Sequence, residues 1–303
     1  MTQLRNTVQG TFLENEPMAK HTTYGIGGPA AAYITPADKQ DLASALQCAH
    51  KHSIPVFFVG SGSNLLVSDK GIDGLVFTLG KSFVNLEFDQ NKVFAESGVM
   101  LGKMVKEATK RNLTGLESLV GVPGTLGGAL VMNAGAFGGE ISNYLTSVEV
   151  MTMEGNLKNY SAEDISFSYR HSTFRDDEII LGAEFELLEA DPDSIQSEKS
   201  KASEGRKKTQ PLRFRSAGSV FKNPEGEKAA GYLIDKAGLK GTRIGDAEIS
   251  EHHANFFINH GEAKAEDIAH LIRIARKEVM DQFGIMLDLE IKTLGFKEGA
   301  FTP

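Results

Sequence analysis

The chain has 303 residues, which is enough for one large domain or for two or three packed subdomains. Its 41% hydrophobic and 24% charged residues are ordinary for a globular protein. Its formal net charge of -8 gives no basic face of the kind that binds nucleic acid, so we expect no nucleic-acid partner.

The single cysteine, Cys48, excludes an intrachain disulfide and a metal cage of several cysteines. This fits a reducing compartment, and we expect a cytoplasmic protein. The N-terminal residues lack the apolar core of a signal peptide, and no later run approaches the about 20 apolar residues of a membrane-spanning helix. We therefore expect no membrane partner, and we expect a monomer.

The first predicted elements form a β-α-β unit. "AAYIT" predicts a strand, the spacing of Leu42, Leu46 and Ala49 predicts a helix, and residues 55–59 predict a second strand. Apolar alternation on both sides of "DQNK" predicts a hairpin, and a helix is expected from about Leu101 to Arg111. Residues 116–139 are too rich in glycine for a regular helix and too apolar for a disordered linker, which predicts an ordered, buried loop system.

Strands return between Tyr144 and Glu189 in "SVEVMTMEG", "NLKNYS" and "EIILGAEFELLEA". A polar helix over residues 191–209 has a weak apolar face and marks the best domain boundary. A smaller α/β region follows Gln210. Its predicted elements are a helix closed by a glycine (228–238), a strand (253–259), an amphipathic helix (265–284) and a final strand (285–295).

The stretch "FFVGSGSNLLVSD", Phe57 to Asp69, places five small residues between two apolar runs. Glycines let backbone amides approach an anion closely, so this loop could hold a pyrophosphate, although a plain surface turn is the competing interpretation. A Rossmann fingerprint would need a glycine where Leu65 stands. "GLVFTLGKS" has one residue too many between Gly74 and Gly80 to be a P-loop.

Similar loops recur along the chain, which favours the cofactor interpretation. "GIGG" (25–28), "GSGSN" (60–64), "ESG" (96–98) and "GVPGTLGG" (121–128) all follow or join apolar strands. Four such loops that converge could enclose a long dinucleotide without a Rossmann turn.

Three further motifs carry candidate catalytic side chains. In "FSYRHSTF", Arg170 could clamp a carboxylate, although a surface salt bridge is the alternative. In "RSAGSVFKNP", Ser219 could be presented from a tight turn, although capping and turn serines are commoner, and no Gly-x-Ser-x-Gly elbow is present. In "IMLDLEIKTLG", alternation places Glu290 on the polar face, which is also typical of a strand with one wet face.

The adjacent His252 and His253 would point to opposite faces of a strand. No set of cysteines or carboxylates stands at ligand spacing, so we predict no metal site.

The series "HTTYGIGGPA", "VGSGSNLLVSD", "AESG" and "GLESLVGVPGTLGGALVMNAGAFGGEI" closely resembles the FAD-binding domain of the vanillyl-alcohol-oxidase (PCMH) type. It resembles the version carried by the UDP-N-acetylenolpyruvoylglucosamine reductase (MurB) family. "FSYRHSTF", "SAGSVFKNP", "AGYLIDKAGLKG", "ISEHHANFFIN" and "LDLEIKTLG" occur in that family's order, so the resemblance spans about residues 17–296. The chain is too short for the tyrosine-bearing insertion of some relatives, and so resembles the family's second type.

The resemblance implies an α/β (α+β) fold. It comprises a two-subdomain FAD-binding domain over residues 17–190, with subdomains of about 17–80 and 81–190, and a smaller C-terminal α/β substrate domain over 205–303. The implied enzyme is a flavin-dependent reductase that converts UDP-N-acetyl-3-O-(1-carboxyvinyl)-glucosamine, an enol ether, to UDP-N-acetylmuramate. FAD is held noncovalently, although a covalent link through His21 is chemically possible, and NADPH is the cosubstrate. The product serves peptidoglycan synthesis, and hence cell wall biogenesis, cell shape and cell division.

The resemblance also assigns residues. Arg170, Ser219 and Glu290 are the implied catalytic residues, with Ser219 as the proton donor. The chain reads Glu-Ile-Lys where relatives often have Glu-Val-Arg, which leaves the role of Lys292 open. We predict that Tyr169, Lys222 and Asn223 bind the substrate. Lys222 and Asn223, which lie beside Ser219, are our candidates for the diphosphate, and Arg206 and Gln210 are weaker ones. The implied cofactor-binding residues are Gly60, Ser61, Gly62, Ser63, Asn64, Leu65, Val122, Pro123, Gly124, Thr125, Gly127, Gly128, Asn133, Gly135 and Ala136.

Two alternatives remain at this point. One is another oxidase or dehydrogenase on the same FAD fold, which would leave "SAGSVFKNP" and "LDLEIKTLG" without an explanation. The other is a nonenzymatic nucleotide-binding module that retains the pocket without turnover.

Overall fold

The computed structural model describes residues 1–303. The helices are α1 (Thr2–Thr7), α2 (Lys39–Lys51), α3 (Leu101–Thr109), α4 (Leu126–Val131), α5 (Pro192–Thr209), α6 (Ala230–Lys236) and α7 (Ala265–Phe283). The strands are β1 (Thr11–Pro17), β2 (Pro29–Thr35), β3 (Val56–Phe58), β4 (Leu65–Val67), β5 (Ile72–Phe77), β6 (Leu86–Asp89), β7 (Lys92–Glu96), β8 (Leu113–Thr114), β9 (Gly135–Ala136), β10 (Gly139–Glu140), β11 (Leu145–Thr152), β12 (Leu157–Ser161), β13 (Phe167–Ser168), β14 (His171–Ser172), β15 (Glu178–Glu186), β16 (Leu188–Glu189), β17 (Arg243–Ile244), β18 (Ala247–Ile249), β19 (Phe257–Asn259) and β20 (Lys292–Leu294). No helix combines the length and the apolarity needed to cross a bilayer.

The chain divides into two compact units. The first comprises Met1–Glu14, Ala32–Ser61 and Gly74–Arg206, and the second comprises Asn15–Ala31, Gly62–Asp73 and Lys207–Pro303. The second unit therefore includes two segments from the N-terminal quarter of the chain. The predicted domains, 17–190 and 205–303, are continuous stretches of sequence, whereas each unit combines separate segments. These domain limits remain a prediction.

The first unit contains most of a four-stranded sheet in the order β1-β2-β5-β3. The side chain of Asp38 accepts a hydrogen bond from the Asp41 backbone amide and so caps the start of α2. Leu42, Leu46 and Ala49, the predicted helical stripe, are fully buried in the core that this helix shares with β2 and β5. The predicted β-α-β elements are thus present as β2, α2 and β3.

A five-stranded sheet in the order β12-β11-β15-β7-β6 forms the other part of the first unit. Each pair of neighbouring strands in this sheet is antiparallel. Strands β6 and β7 form the hairpin predicted around "DQNK". Helix α3 buries Leu101, Met104, Val105 and Ala108, which recur at helical spacing, against a second core of this unit. Two cores within one unit agree with a two-subdomain architecture.

The loop system predicted over residues 116–139 is in part helical. Residues 126–131, "LGGALV", form α4 despite two glycines, each of which costs about 1 kcal/mol of helix propensity relative to alanine. Leu126, Ala129 and Leu130 of this helix are buried, so tertiary packing outweighs the propensity. The prediction that this region contains no regular helix was wrong at this point.

The second unit packs α6, α7 and the sheet β17-β18-β19 around a core that includes Tyr24, Ile26 and Leu66 from the N-terminal segments. The predicted amphipathic helix of 265–284 is α7, and it ends at the left-handed Gly284. The predicted final strand of 285–295 is shorter, because only residues 292–294 form a strand, which pairs in parallel with β4. Leu289 forms an isolated β-bridge. The alternation was nevertheless right, since Leu287 and Ile291 are buried while Met286 and Asp288 are exposed.

Candidate active site

The glycine-rich loops contact one another in pairs. In the first unit, Gly60 lies so close to the Thr125 hydroxyl that a Cβ atom would be 2.5 Å from it. The "ESG" loop binds the start of α4, since the Gly127 amide donates to the Ser97 carbonyl (2.9 Å) and the Leu126 amide donates to the Val99 carbonyl (2.8 Å). Three loops predicted to lie together therefore do so within this unit.

In the second unit, the segment that precedes the "GIGG" loop contacts the "GSGSN" loop. The Thr23 amide donates to the Gly62 carbonyl (3.1 Å), and Gly62 is left-handed, with φ of +66°. A Cβ atom at Gly62 would lie 2.0 Å from the His21 carbonyl oxygen, so only glycine fits. The His21 ring is 3.0 Å from Glu16, and this hydrogen bond lowers the pKa of the Glu16 carboxyl.

These loops suit an anionic dinucleotide cofactor. Ser61 contributes a shielded hydroxyl with no hydrogen-bond partner among the protein atoms, which is a donor that a bound group could use. Exposed Gly60 and Gly128 present backbone without side chains, so a phosphate can approach the peptide groups closely. The residues present therefore fit FAD, and the plain surface-turn interpretation leaves the Ser61 hydroxyl unexplained.

Asn133 supports the hairpin that carries Arg170. It is fully buried, and its side-chain amide donates to the Glu140 carboxylate (2.8 Å) and to the Ser168 carbonyl (3.2 Å). The Ser172 hydroxyl adds a bond to the Val131 carbonyl (2.7 Å). Asn133 thus holds neighbouring protein groups with its side chain, a role that the sequence motif did not reveal.

Arg170 occupies the tip of the β13–β14 hairpin, where Ser168 pairs with His171. Its φ of +54° is left-handed, a conformation that costs a non-glycine residue about 1 kcal/mol or more. The half-buried guanidinium lies over the Tyr169 ring, 5.0 Å from the ring centroid. Arg170 therefore combines a strained backbone with a side chain stacked on a neighbouring ring, and its catalytic role stays a prediction.

Ser219 follows a left-handed glycine, Gly218, whose φ is +76°. The Thr23 hydroxyl donates to the Ser216 carbonyl (2.7 Å) and so stabilises the loop that precedes Ser219. Ser219 forms a single β-bridge with Phe256. The serine is therefore half-buried and presented from a constrained turn, as the sequence predicted.

Glu290 lies on the segment next to Ser219. Its amide donates to the Val220 carbonyl (2.8 Å), so its backbone is one hydrogen bond from the residue that follows the serine. Its own carbonyl accepts from the Asn64 side chain (3.1 Å), and the Lys292 amide donates to the Asn64 carbonyl (3.0 Å). The structure thus brings the predicted serine and glutamate together with the last residue of the "GSGSN" loop.

The predicted substrate residues next to Ser219 have defined structural contacts. The Lys222 amide donates to the Asp288 carbonyl (2.8 Å), and its side chain is half-buried. The Asn223 side-chain oxygen accepts from the amide of Ala230, the first residue of α6 (3.1 Å). Asn223 is exposed, and its role toward a ligand stays a prediction.

Arg206 ends the first unit beside another glycine loop. A Cβ atom at Gly121 would be 3.1 Å from the Arg206 Cδ atom, and burial lowers the pKa of this guanidinium. Phe137, at the tip of the β9–β10 hairpin, lies against Gly205. Gly135 and Ala136 form the first strand of that hairpin, so their backbone pairs with β10.

Two curated relatives are similar to the chain over nearly its full length. The UDP-N-acetylenolpyruvoylglucosamine reductase of Heliobacterium modesticaldum is 42% identical over 99% of this chain and 96% of its own length. The enzyme of the same name from Clostridioides difficile is 43% identical over 93% of this chain and 92% of its own. The crystal structure of UDP-N-acetylenolpyruvylglucosamine reductase (MurB) from Thermus caldophilus is 35% identical, with a TM-score of 0.80 over 94% of this chain and 99% of that one.

Two family models match separate parts of the chain. Residues 30–161 match a model described as "FAD binding domain", and residues 210–294 match "UDP-N-acetylenolpyruvoylglucosamine reductase, C-terminal domain". Together with the glycine loops, these matches define a flavin-dependent oxidoreductase. The chain belongs to the UDP-N-acetylenolpyruvoylglucosamine reductase family, which confirms the resemblance read from its motifs.

Proposed function

We propose that the chain reduces UDP-N-acetyl-3-O-(1-carboxyvinyl)-glucosamine to UDP-N-acetylmuramate with NADPH, in peptidoglycan precursor synthesis. The observation that carries this function is the 42% identity over 99% of the chain to a reductase of that name. Enzymes of the same FAD fold with other substrates would not account for the match of residues 210–294 to the reductase's own C-terminal domain.

FAD, when bound, would supply the hydride-transfer chemistry between NADPH and the vinyl group of the sugar nucleotide. We assign its binding to the residues of the glycine loops. They are Gly60, Ser61, Gly62, Ser63, Asn64, Leu65, Val122, Pro123, Gly124, Thr125, Gly127 and Gly128, with Gly135 and Ala136 from β9. The support is the pairing of these loops and the shielded Ser61 hydroxyl. Asn133, which is buried, would act through the backbone that it holds.

Arg170 and Glu290 would stabilise the negative charge that develops on the substrate. An enol ether is electron-rich, so addition of hydride at the vinyl carbon requires the attached carboxylate to take up charge as an aci-enolate. A guanidinium fork clamps a carboxylate with two hydrogen bonds, and Glu290 in its neutral form can donate a further one. The stacking of Arg170 on Tyr169 supports this role, because it fixes the orientation of the fork.

Ser219 would then deliver a proton to the carbon beside the carboxylate. The hydride and this proton together saturate the double bond, and the serine regains its proton from solvent. A serine hydroxyl is a weak acid, and it can act here because the carbanion-like intermediate is a strong base. The constrained turn at Gly218 supports the assignment, since it fixes the direction of the hydroxyl-bearing residue.

The substrate diphosphate requires cations or amide donors. Lys222 and Asn223 are the first candidates because they follow Ser219 along one segment, and Tyr169 is placed beside Arg170. Arg206 and Gln210 are further candidates from the end of α5 and its successor residues. We also propose that the enzyme acts as a monomer in the cytoplasm. Light scattering, which measures the molar mass in solution, would test the monomer. Fractionation of the source cells would test the location.

The deciding experiment follows the colour of the holoenzyme. The purified protein should be yellow, should bleach when NADPH is added without oxygen, and should recover its colour when the enolpyruvyl UDP-sugar follows. Bleaching without recovery would point to another substrate on the same FAD fold and would refute the reductase. A colourless, fully folded protein would indicate a binding module without a flavin.

A further inference from the structure

The segment from Ser219 to Phe221 is paired on both sides in the second unit. On one side, the Val220 amide donates to the Asn255 carbonyl (2.8 Å). On the other side, the Val220 carbonyl accepts from the Glu290 amide (2.8 Å), and Phe221 forms a β-bridge with Leu289. The segment thus lies in the position of a central strand, although it is too short and irregular to form one.

Asn255 completes this pairing with its side chain. Its Oδ1 atom accepts from the Phe221 amide (2.9 Å), and its Nδ2 atom donates to the Phe221 carbonyl (2.8 Å). The two bonds reproduce what a neighbouring strand would supply. Asn255 is 3% exposed, so bulk solvent does not compete with these bonds in the folded protein.

The same hydrogen bonds couple Ser219 to Glu290. Val220 joins the two, because its amide donates to the Asn255 backbone carbonyl and its own carbonyl accepts from the Glu290 amide. A displacement of the Val220–Phe221 backbone would therefore move the serine directly and the glutamate through one hydrogen bond.

We propose that Asn255 is a positioning residue for the reduction of the substrate, acting through the backbone that carries Ser219 and Glu290. This inference rests on the roles proposed above for those two residues. Both side-chain hydrogen bonds of Asn255 go to the Phe221 backbone, so Asn255 acts on the position of Ser219 and Glu290 and not on the substrate. Because a misplacement of about 1 Å can cost roughly 100-fold in rate, its loss should act on the substrate step.

The test compares Asn255→Ala with Asn259→Ala in the holoenzyme. Asn259 is a matched control, because it is equally buried and its side chain also binds only backbone, at Tyr24, Gly261 and Ala263. Stopped-flow absorbance measures bleaching by NADPH and recovery by the enolpyruvyl UDP-sugar separately. We expect Asn255→Ala to slow recovery by about 10- to 100-fold while bleaching stays within about 2-fold, and Asn259→Ala to slow neither step selectively.

Hydrogen exchange gives a readout that does not depend on turnover. The Phe221 amide should exchange faster in Asn255→Ala and at the wild-type rate in Asn259→Ala, because only the first variant removes its acceptor. If Asn255→Ala does not fold, Asn255→Asp retains the Oδ1 acceptor and can donate to the Phe221 carbonyl only when protonated. Its recovery step should then quicken as the pH is lowered, while its bleaching step does not.

A double variant separates this inference from the proposed function. If Asn255 acts through Ser219, Ser219→Ala with Asn255→Ala should recover little more slowly than Ser219→Ala alone. A full additional loss when Asn255→Ala is combined with Ser219→Ala and also when it is combined with Glu290→Gln would overturn the positioning role. Equal slowing of both steps in Asn255→Ala would overturn it as well. A wild-type enzyme that bleaches but does not recover would instead refute the reductase, and this inference with it.

Discussion

Two left-handed glycines of the second unit should respond differently to the same substitution. Gly62 and Gly218 have φ values of +66° and +76°, so alanine at either position meets a left-handed penalty of about 1–2 kcal/mol. Part of this, about 0.4–1 kcal/mol, is offset because alanine restricts the unfolded chain. Gly218 has no atom within 4 Å of an added Cβ, so its net cost should be about 1 kcal/mol.

Gly62 carries a second cost. An added Cβ would lie 2.0 Å from the His21 carbonyl oxygen and 2.8 Å from the Thr22 Cα, and both neighbours are backbone atoms that cannot rotate away. Overpacking of this kind costs about 1–3 kcal/mol more. We therefore expect Gly62→Ala to lower the free energy of unfolding by about 2–4 kcal/mol in total, and to lower flavin content because the "GSGSN" loop must shift.

Urea unfolding measures both variants on the same transition, because both glycines belong to one unit. The flavin content is read from the ratio of visible to ultraviolet absorbance of the purified protein. Equal destabilisation by the two substitutions would refute the reasoning, since it would show that the His21 carbonyl does not constrain position 62.

Three further results are expected. In urea unfolding, Tyr24→Phe should leave the free energy of unfolding unchanged or raise it by up to about 1 kcal/mol, because the Tyr24 hydroxyl is buried without a hydrogen-bond partner. Tyr160→Phe should lower it by about 1.5–3 kcal/mol, because this variant loses two 3.0 Å bonds to Glu178. Equal effects would contradict this account. Burial lowers the pKa of His253 below its ordinary value of about 6.5. On acidification the unfolded chain therefore binds a proton at His253 before the folded protein does. The free energy of unfolding should fall as the pH drops below about 6.5. Between pH 7.5 and pH 5.5 the free energy of unfolding should fall less in His253→Gln than in the wild type. An identical fall would show that His253 does not cause the pH dependence. Arg170→Lys keeps the charge but not the planar fork, so recovery by the sugar nucleotide should slow by about 100-fold in stopped flow while bleaching by NADPH is retained; an unchanged recovery would remove Arg170 from the mechanism.

Local patterns predicted the elements that depend on nearby residues. Helix α7 follows from its apolar stripe and its closing glycine, and the β6–β7 hairpin follows from alternation around a polar turn. Helix α4 was not predictable in this way, because its two glycines argue against a helix and only burial of its leucines outweighs them. The pairing of β4 with β20 joins residues more than 200 positions apart, which no local pattern encodes.

The site shows the same division. The glycine loops, Arg170, Ser219 and Glu290 stand in recognisable motifs, so the sequence alone could propose them as candidate residues. Asn255 carried no such signal, because an asparagine near a strand is typical of a turn, and its partner Phe221 is 34 residues away.

Stopped-flow analysis of Ser219→Ala tests the central claim most directly. The account predicts that NADPH bleaches the flavin of this variant at close to the wild-type rate, whereas the enolpyruvyl UDP-sugar restores the colour about 100- to 10,000-fold more slowly, as expected for loss of a general acid. Equal slowing of both steps, or recovery at the wild-type rate, would contradict it.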